Sequence, residues 1–145
     1  MNDYSTASDA TSQALAACLT KQRAAYFANP VPTLAERKAD LRTLQRFIRE
    51  NKDALCEAIS ADYGNRSKHE TLLAEIFPAT DGNDHVIAHL RRWMKPQRRS
   101  VDLRNFLGAS NRVIPQPLGV VGVIVPWNFP VNLSFVPLSY IFAAG

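Results

Sequence analysis

Apolar positions recur with a helical period over the first two thirds of the chain. Leu34, Leu41, Leu44 and Ile48 fall on one face, while Arg37, Lys38, Asp40, Arg42 and Arg46 alternate charge on the other. That pattern predicts a surface helix with one buried stripe. Thr33-Leu34-Ala35-Glu36 opens it as a capping box, in which the hydroxyl reaches one backbone donor and the carboxylate reaches back to another. An earlier helix is predicted from Asp9, as its cap, to about Ala28, with Leu15, Cys18, Leu19, Gln22 and Tyr26 on one stripe. Residues 1–8 read as a frayed terminus, and Asn29-Pro30-Val31-Pro32 breaks the helix. Asn51 restarts the chain into a third helix with Leu55, Cys56, Ile59 and Tyr63 inward, and Gly64 is placed to end it in a left-handed turn. Ser67-Lys68-His69-Glu70 is a second capping box. It predicts a long helix to about Met94, with Leu72, Leu73, Ile76, Ile87, Leu90 and Met94 inward. Pro78 and Gly82 are expected to kink or split that helix, and Lys95-Pro96 to stop it.

The period changes after Ser100. Short runs at Val101–Leu103 and Arg112–Ile114 flank a turn-like stretch, Asn105–Asn111, that contains Gly108, and predict a hairpin. Val120-Val121-Gly122-Val123-Ile124-Val125 is β-branched, short and apolar at both alternations. Such a run suits a strand buried on both faces, as in a parallel sheet covered by helices. A last helix is predicted from Asn132 or Ser134 to Ala144, its start obscured by Pro137.

Composition adds an asymmetry. The 145 residues carry a net charge of +4, yet the 33 residues from Val113 to Gly145 contain no Asp, Glu, Lys, Arg or His. A single membrane span is rejected: Pro126, Pro130 and Pro137 interrupt the stretch and no proline-free run in it exceeds eight residues, against about 20 for a span. A buried core segment is the better reading. Just upstream, Arg91, Arg92, Lys95, Arg98, Arg99 and Arg104 face only Asp102. With Trp93 as the one aromatic among them and no nucleic-acid motif, the cluster reads as a helix end and solvated loop, so no nucleic-acid partner is expected. Two cysteines, Cys18 and Cys56, are too few for a disulfide scaffold, and the first twenty residues carry Asp3 and Asp9 but no base. Both features suit a cytoplasmic location.

Two constellations carry chemistry. In Pro126-Trp127-Asn128-Phe129-Pro130 each proline biases the residue before it toward extended backbone, so Asn128 sits on a stiff turn between a predicted strand and a helix start. Ligands of open α/β sheets bind at that kind of place. The Asn128 amide can donate to an oxygen that gains negative charge, or it can satisfy local backbone, the commoner use of Asn in turns; the residues alone leave both open. Asp81, His85 and His89 share a face at four-residue spacing and have the chemistry of zinc ligands. Lacking an evident fourth ligand, they read as a polar helix face, and no metal is expected.

Val120–Pro130, VVGVIVPWNFP, resembles the signature segment of the NAD(P)-dependent aldehyde dehydrogenase superfamily, and Ala143-Ala144-Gly145 resembles the end of the helix after it. Ala61–Gly64, Glu70 through Ile76 and Arg92–Met94 fit the same pattern, so the resemblance covers residues 30 to 145. The segment Asp62–Ile76, DYGNRSKHETLLAEI, is similar to the bacterial coniferyl-aldehyde dehydrogenase branch.

The resemblance implies an α/β fold, here the N-terminal part of the aldehyde dehydrogenase fold. Residues 1–99 would be a helical segment packing on the cofactor domain. Residues 100–117 would be a β-hairpin oligomerisation element, and 118–145 the first strand, loop and helix of an incomplete, Rossmann-like NAD(P)-binding domain. It implies oxidation of an aldehyde, possible substrates including an aromatic, coniferyl-aldehyde-like one, to the acid with NAD or NADP, in a homodimer when full length. Asn128 would stabilise the oxyanion, and Ile124, Val125, Pro126 and Trp127 would line the cofactor cleft. The family's nucleophilic Cys, general-base Glu, ribose-contacting Lys and Gly-rich loop would all follow Gly145. Cys18 and Cys56 precede the signature and match core positions instead. The expectation is therefore about the first third of an enzyme, inactive alone. The alternative is a non-catalytic helical interaction module.

Overall fold

The computed structural model describes residues 4–145. Helix α1 spans Tyr4–Ala28, α2 Leu34–Glu50 and α3 Lys52–Asp62. Then α4 (Lys68–Thr71), a π-turn (Leu72–Ile76) and α5 (Phe77–Trp93) follow without a break. A two-stranded ribbon, β1 (Gln97–Arg99) and β2 (Asn111–Val113), precedes the last helix, α6 (Pro130–Ala144).

Local chemistry sets several of these boundaries. Thr33 caps α2: the Glu36 amide donates to its hydroxyl at 3.3 Å and its own amide donates to the Glu36 carboxylate at 2.7 Å. Those Thr33 hydrogen bonds hold the Glu36 carboxyl below its usual pKa. Gly64 ends the α3 turn at φ +80°, the left-handed conformation for which glycine pays no steric cost. Pro78 lacks an amide hydrogen, and in a regular helix its ring would strike the carbonyl four residues back. The chain resolves this with the wider π-turn immediately upstream, closed by the Phe77 amide donating to the Leu72 carbonyl. Gly82 leaves α5 unbroken.

The core lies among α2, α3, α5, α6 and the π-turn. Ile48, Cys56, Ile59, Ile76, Ala79 and Val131 form one buried cluster, and Leu41, Val86, Leu90 and Ala143 a second. Burial of the Cys56 thiol pushes its pKa up. Asn83, also fully buried, donates to the Leu41 carbonyl at 2.7 Å and so ties α5 to α2.

Several expectations are corrected. Helix α1 begins at Tyr4, so Asp9 is inside it rather than its cap, and of the predicted frayed terminus only residues 1–3 lie outside the described residues. The α1 stripe is not buried: Leu15, Cys18 and Leu19 are exposed, and only Tyr26 is half-covered, its hydroxyl 3.4 Å from the Pro117 carbonyl. Arg37, assigned to the outer face of α2, is 5% exposed. It donates through Nε to the Pro32 carbonyl and through Nη1 to the Ala143 carbonyl, both at 2.9 Å, and burial lowers its pKa. Ser67 makes no side-chain cap, so the second capping box does not form. Leu73 points outward rather than inward, while Ile76 is buried as expected and Thr71 and Glu75 lie inside with it. Tyr63 is exposed. The first hairpin strand lies at Gln97–Arg99, paired antiparallel with Gln97 opposite Val113 and Arg99 opposite Asn111, not at 101–103. Helix α6 starts at Pro130, where a proline costs nothing in the first turn, and continues through Pro137.

Residues 120–125 form no strand. A strand is defined by its ladder, and the two strands among the described residues are three residues long and pair with each other. Ile124 is fully exposed, and Val121 and Val123 are about half so. The chain exposes 10785 Å², against roughly 7,400 Å² for a compact monomer of its 16.1 kDa mass. Helix α1 from Asp9 onward, exposed except at Tyr26, contributes to the excess, as do Leu118, Ile124 and Trp127. No helix among the described residues is long and apolar enough to cross a membrane.

Candidate functional site

The turn between residue 125 and α6 is held by side chains from the stretch that joins α3 to the π-turn. Tyr63 Oη donates to the Trp127 carbonyl at 2.6 Å. Arg66 Nη1 donates to the Asn128 carbonyl at 3.0 Å. Glu75, with no exposed surface, accepts the Val131 amide at 2.7 Å and the Asn132 amide at 3.4 Å on Oε2. A carboxylate there satisfies two of the unpaired amides of α6 and complements the positive end of its dipole.

Arg66 and Glu75 are themselves paired. Nη1 lies 3.0 Å from Glu75 Oε1 as an ion pair without hydrogen-bond alignment, and Nη2 lies 3.4 Å from Glu70. The Arg66 side chain is 5% exposed. Its guanidinium sits over the rings of Tyr63, at 5.1 Å, and Phe129, at 4.7 Å. Ring faces attract a cation, which offsets the lack of a hydrogen-bond partner for the buried Nε.

Asn128 is exposed, and its only hydrogen bond among the described residues is made by its carbonyl. Its amide is free to donate. Trp127 is 79% exposed, with its ring 6.1 Å from that of Tyr63. Pro126 is exposed beside it, and Ile124 has no cover. Val125 is half-buried in a groove of about 460 Å³ between α1, residues 119–125 and α6. Ile124, Pro126 and Trp127 leave an uncharged, exposed surface beside the turn. With no charged residue between Val113 and Gly145, this segment offers no side-chain cation to a pyrophosphate.

Cys18 is exposed on α1, and Cys56 is a core residue whose pKa is raised by burial. His85 and His89 stack at 4.1 Å, and His89 Nδ1 lies 2.8 Å from the His85 carbonyl. No group of three His, Cys, Asp or Glu side chains among the described residues could hold a metal ion. Reading the sequence missed the roles of Tyr63, Arg66 and Glu75. One signal was available: Glu75 stands on the inward stripe between Leu72 and Ile76, and a carboxylate there requires a buried partner.

The turn, its ties and the helices around it define a portion of a known enzyme architecture. The aldehyde dehydrogenase family profile matches residues 2–145, and the chain belongs to that family. It is 48% identical over 131 residues, 90% of the chain, to a probable coniferyl aldehyde dehydrogenase of Pseudomonas aeruginosa. It is 40% identical over 131 residues to the coniferyl aldehyde dehydrogenase of a Pseudomonas species. The chain spans 27% of the length of each of these curated relatives. Among solved structures, 86% of the chain superposes on 27% of a Staphylococcus aureus AldH chain in a substrate-bound state, at a TM-score of 0.80 and 26% identity. The fold is therefore that of the corresponding part of an aldehyde dehydrogenase.

Proposed function

We propose that the chain is the N-terminal part of an enzyme that oxidises an aldehyde to its acid with NAD or NADP, and that Asn128 is its contribution to the chemistry. The observation that carries this is the division of labour at Asn128: its backbone is tied down while its side-chain amide is left unpartnered and exposed. A donor held in place before the reaction stabilises a developing oxyanion without reorganising. When a nucleophile adds to the aldehyde carbon, the carbonyl oxygen becomes that oxyanion, and the Asn128 amide donates to it. NAD(P), if bound, would supply the hydride acceptor. Ile124, Val125, Pro126 and Trp127 would line one side of its nicotinamide ring. The likeness to coniferyl aldehyde dehydrogenases supports an aromatic aldehyde as substrate.

The organisation proposed with it, with the first boundary moved to take in β1, is a helical segment over residues 1–96, a hairpin element over 97–117 that serves a homodimer, and the start of the cofactor domain over 118–145. The free cysteines fit a cytoplasmic enzyme.

The test is Asn128→Ala in the whole enzyme, assayed at 340 nm with coniferyl aldehyde. Turnover is expected to fall about 10²–10³-fold, the usual effect of removing one oxyanion donor. Unchanged turnover would make Asn128 a turn residue only. The 145-residue chain by itself is expected to form no NAD(P)H, because Cys56 is buried in the core and Cys18 stands on α1 rather than on an element that holds the Asn128 turn; turnover by the purified chain, free of host enzyme, refutes that.

A further inference from the structure

The ties on the Asn128 turn converge from residues 63 to 75 and reach its backbone on both sides. We infer that Tyr63, Arg66 and Glu75 are positioning residues that aim the Asn128 amide, an inference that rests on the reading of Asn128 as the oxyanion donor. Tyr63 fixes the carbonyl before Asn128, Arg66 fixes the carbonyl of Asn128 itself, and Glu75 fixes the first amides of α6 beyond Pro130. The backbone on both sides of Asn128 is thus tied, and its side chain is not.

The ion pair itself adds little stability, since a buried pair is roughly neutral, or unfavourable, beside apolar residues of the same volume. Its stabilising contribution lies in the Asn128 carbonyl and the first α6 amides, which an apolar pair would leave without partners. What the pair supplies beyond that is direction. Arg66 Nη1 meets both Glu75 and the Asn128 carbonyl, at 3.0 Å each, and Glu75 meets α6 through its other oxygen. The guanidinium links the carboxylate that caps α6 to the turn ahead of α6. A turn held for rigidity alone would also gain by engaging the Asn128 amide, and that amide is the group left over.

The experiment is a set of double variants in the whole enzyme, with kcat and KM measured for the aldehyde. Tyr63→Phe and Glu75→Gln are made alone and together with Asn128→Ala. Each alone is expected to lower kcat about tenfold and to leave KM within about twofold, as for a reacting group displaced by less than an ångström. In the Asn128→Ala background the same substitutions are expected to change kcat less than about twofold, since residues acting through one group are not additive. An undiminished loss in that background overturns the inference, as does full activity of both single variants while Asn128→Ala is slow. If Asn128→Ala itself is silent, the reading of Asn128 fails and the inference falls with it. Should Glu75→Gln fail to fold, Tyr63→Phe carries the test, because its exposed ring stays and only the hydroxyl is lost.

Discussion

Replacing Arg37 with methionine separates what the helical pattern implies from what the packing imposes. On the pattern, Arg37 is one of five charged residues on an outer face, and its loss would be worth no more than about 0.5 kcal/mol, as for surface substitutions in general. In the fold it is 5% exposed and bonded to the carbonyls of Pro32 and Ala143, both at 2.9 Å. Hydrogen bonds from a charged donor contribute about 1.5–3 kcal/mol each, so the two together are worth about 3–6 kcal/mol. Part of that is returned, because the variant no longer desolvates a guanidinium, the same burial that lowers the Arg37 pKa. Methionine also keeps most of the stem's packing. The net loss is then about 2–3 kcal/mol, with the buried Ala143 carbonyl left unpaired as its main source. With a urea dependence of about 1–3 kcal/mol/M, the unfolding midpoint should fall by roughly 1–2 M, read by far-UV circular dichroism. Arg42→Met, on an exposed position of the same helix, is the control and should stay within about 0.5 kcal/mol of the parent. A midpoint for Arg37→Met that matches the control refutes the reasoning.

Two further outcomes follow from ionisation. A thiol reagent should titrate exposed Cys18 rapidly in the native chain and buried Cys56 only on unfolding, since burial raises its pKa and restricts access; two fast thiols contradict that core. The hydrogen bond and charge of Lys68, 2.8 Å away, depress the Asp53 pKa and raise that of Lys68 in turn. A depressed acid stabilises the fold above its unfolded pKa and loses that contribution as pH falls through the folded value. The Asp53 carboxyl should therefore titrate by NMR below the ordinary aspartate range, and Lys68→Met should move it up; a midpoint that does not respond rules the pair out.

What was legible in the sequence was local. The Thr33 cap, the Gly64 turn, the stop at Lys95-Pro96 and the inward positions of Leu41, Ile48 and Leu90 depend on neighbours within a turn or two, and all are found. The bend at Asn128 ahead of α6 was legible for the same reason, from its two prolines. The fate of Arg37 was not, because the carbonyl that buries it lies 106 residues away on α6. Nor were the ties on Asn128, which span 56 to 64 residues. Val120–Val125 has the composition of a buried strand, but pairing is a property of two segments, and the described residues offer it no ladder.

The π-turn has a consequence for how this chain can change. It carries one residue more than an α-turn would, and the wider turn absorbs it, so α5 and the segment before it keep the relative phase of one continuous helix. Leu73 is the exposed member of the turn, whereas Glu75 and Ile76 are buried. Removing Leu73 would restore a regular turn and with it the clash between the Pro78 ring and the carbonyl four residues before it, at a cost of about 3 kcal/mol. The extra residue and the proline therefore belong together: loss of Leu73 should be tolerated better once Pro78 is replaced as well.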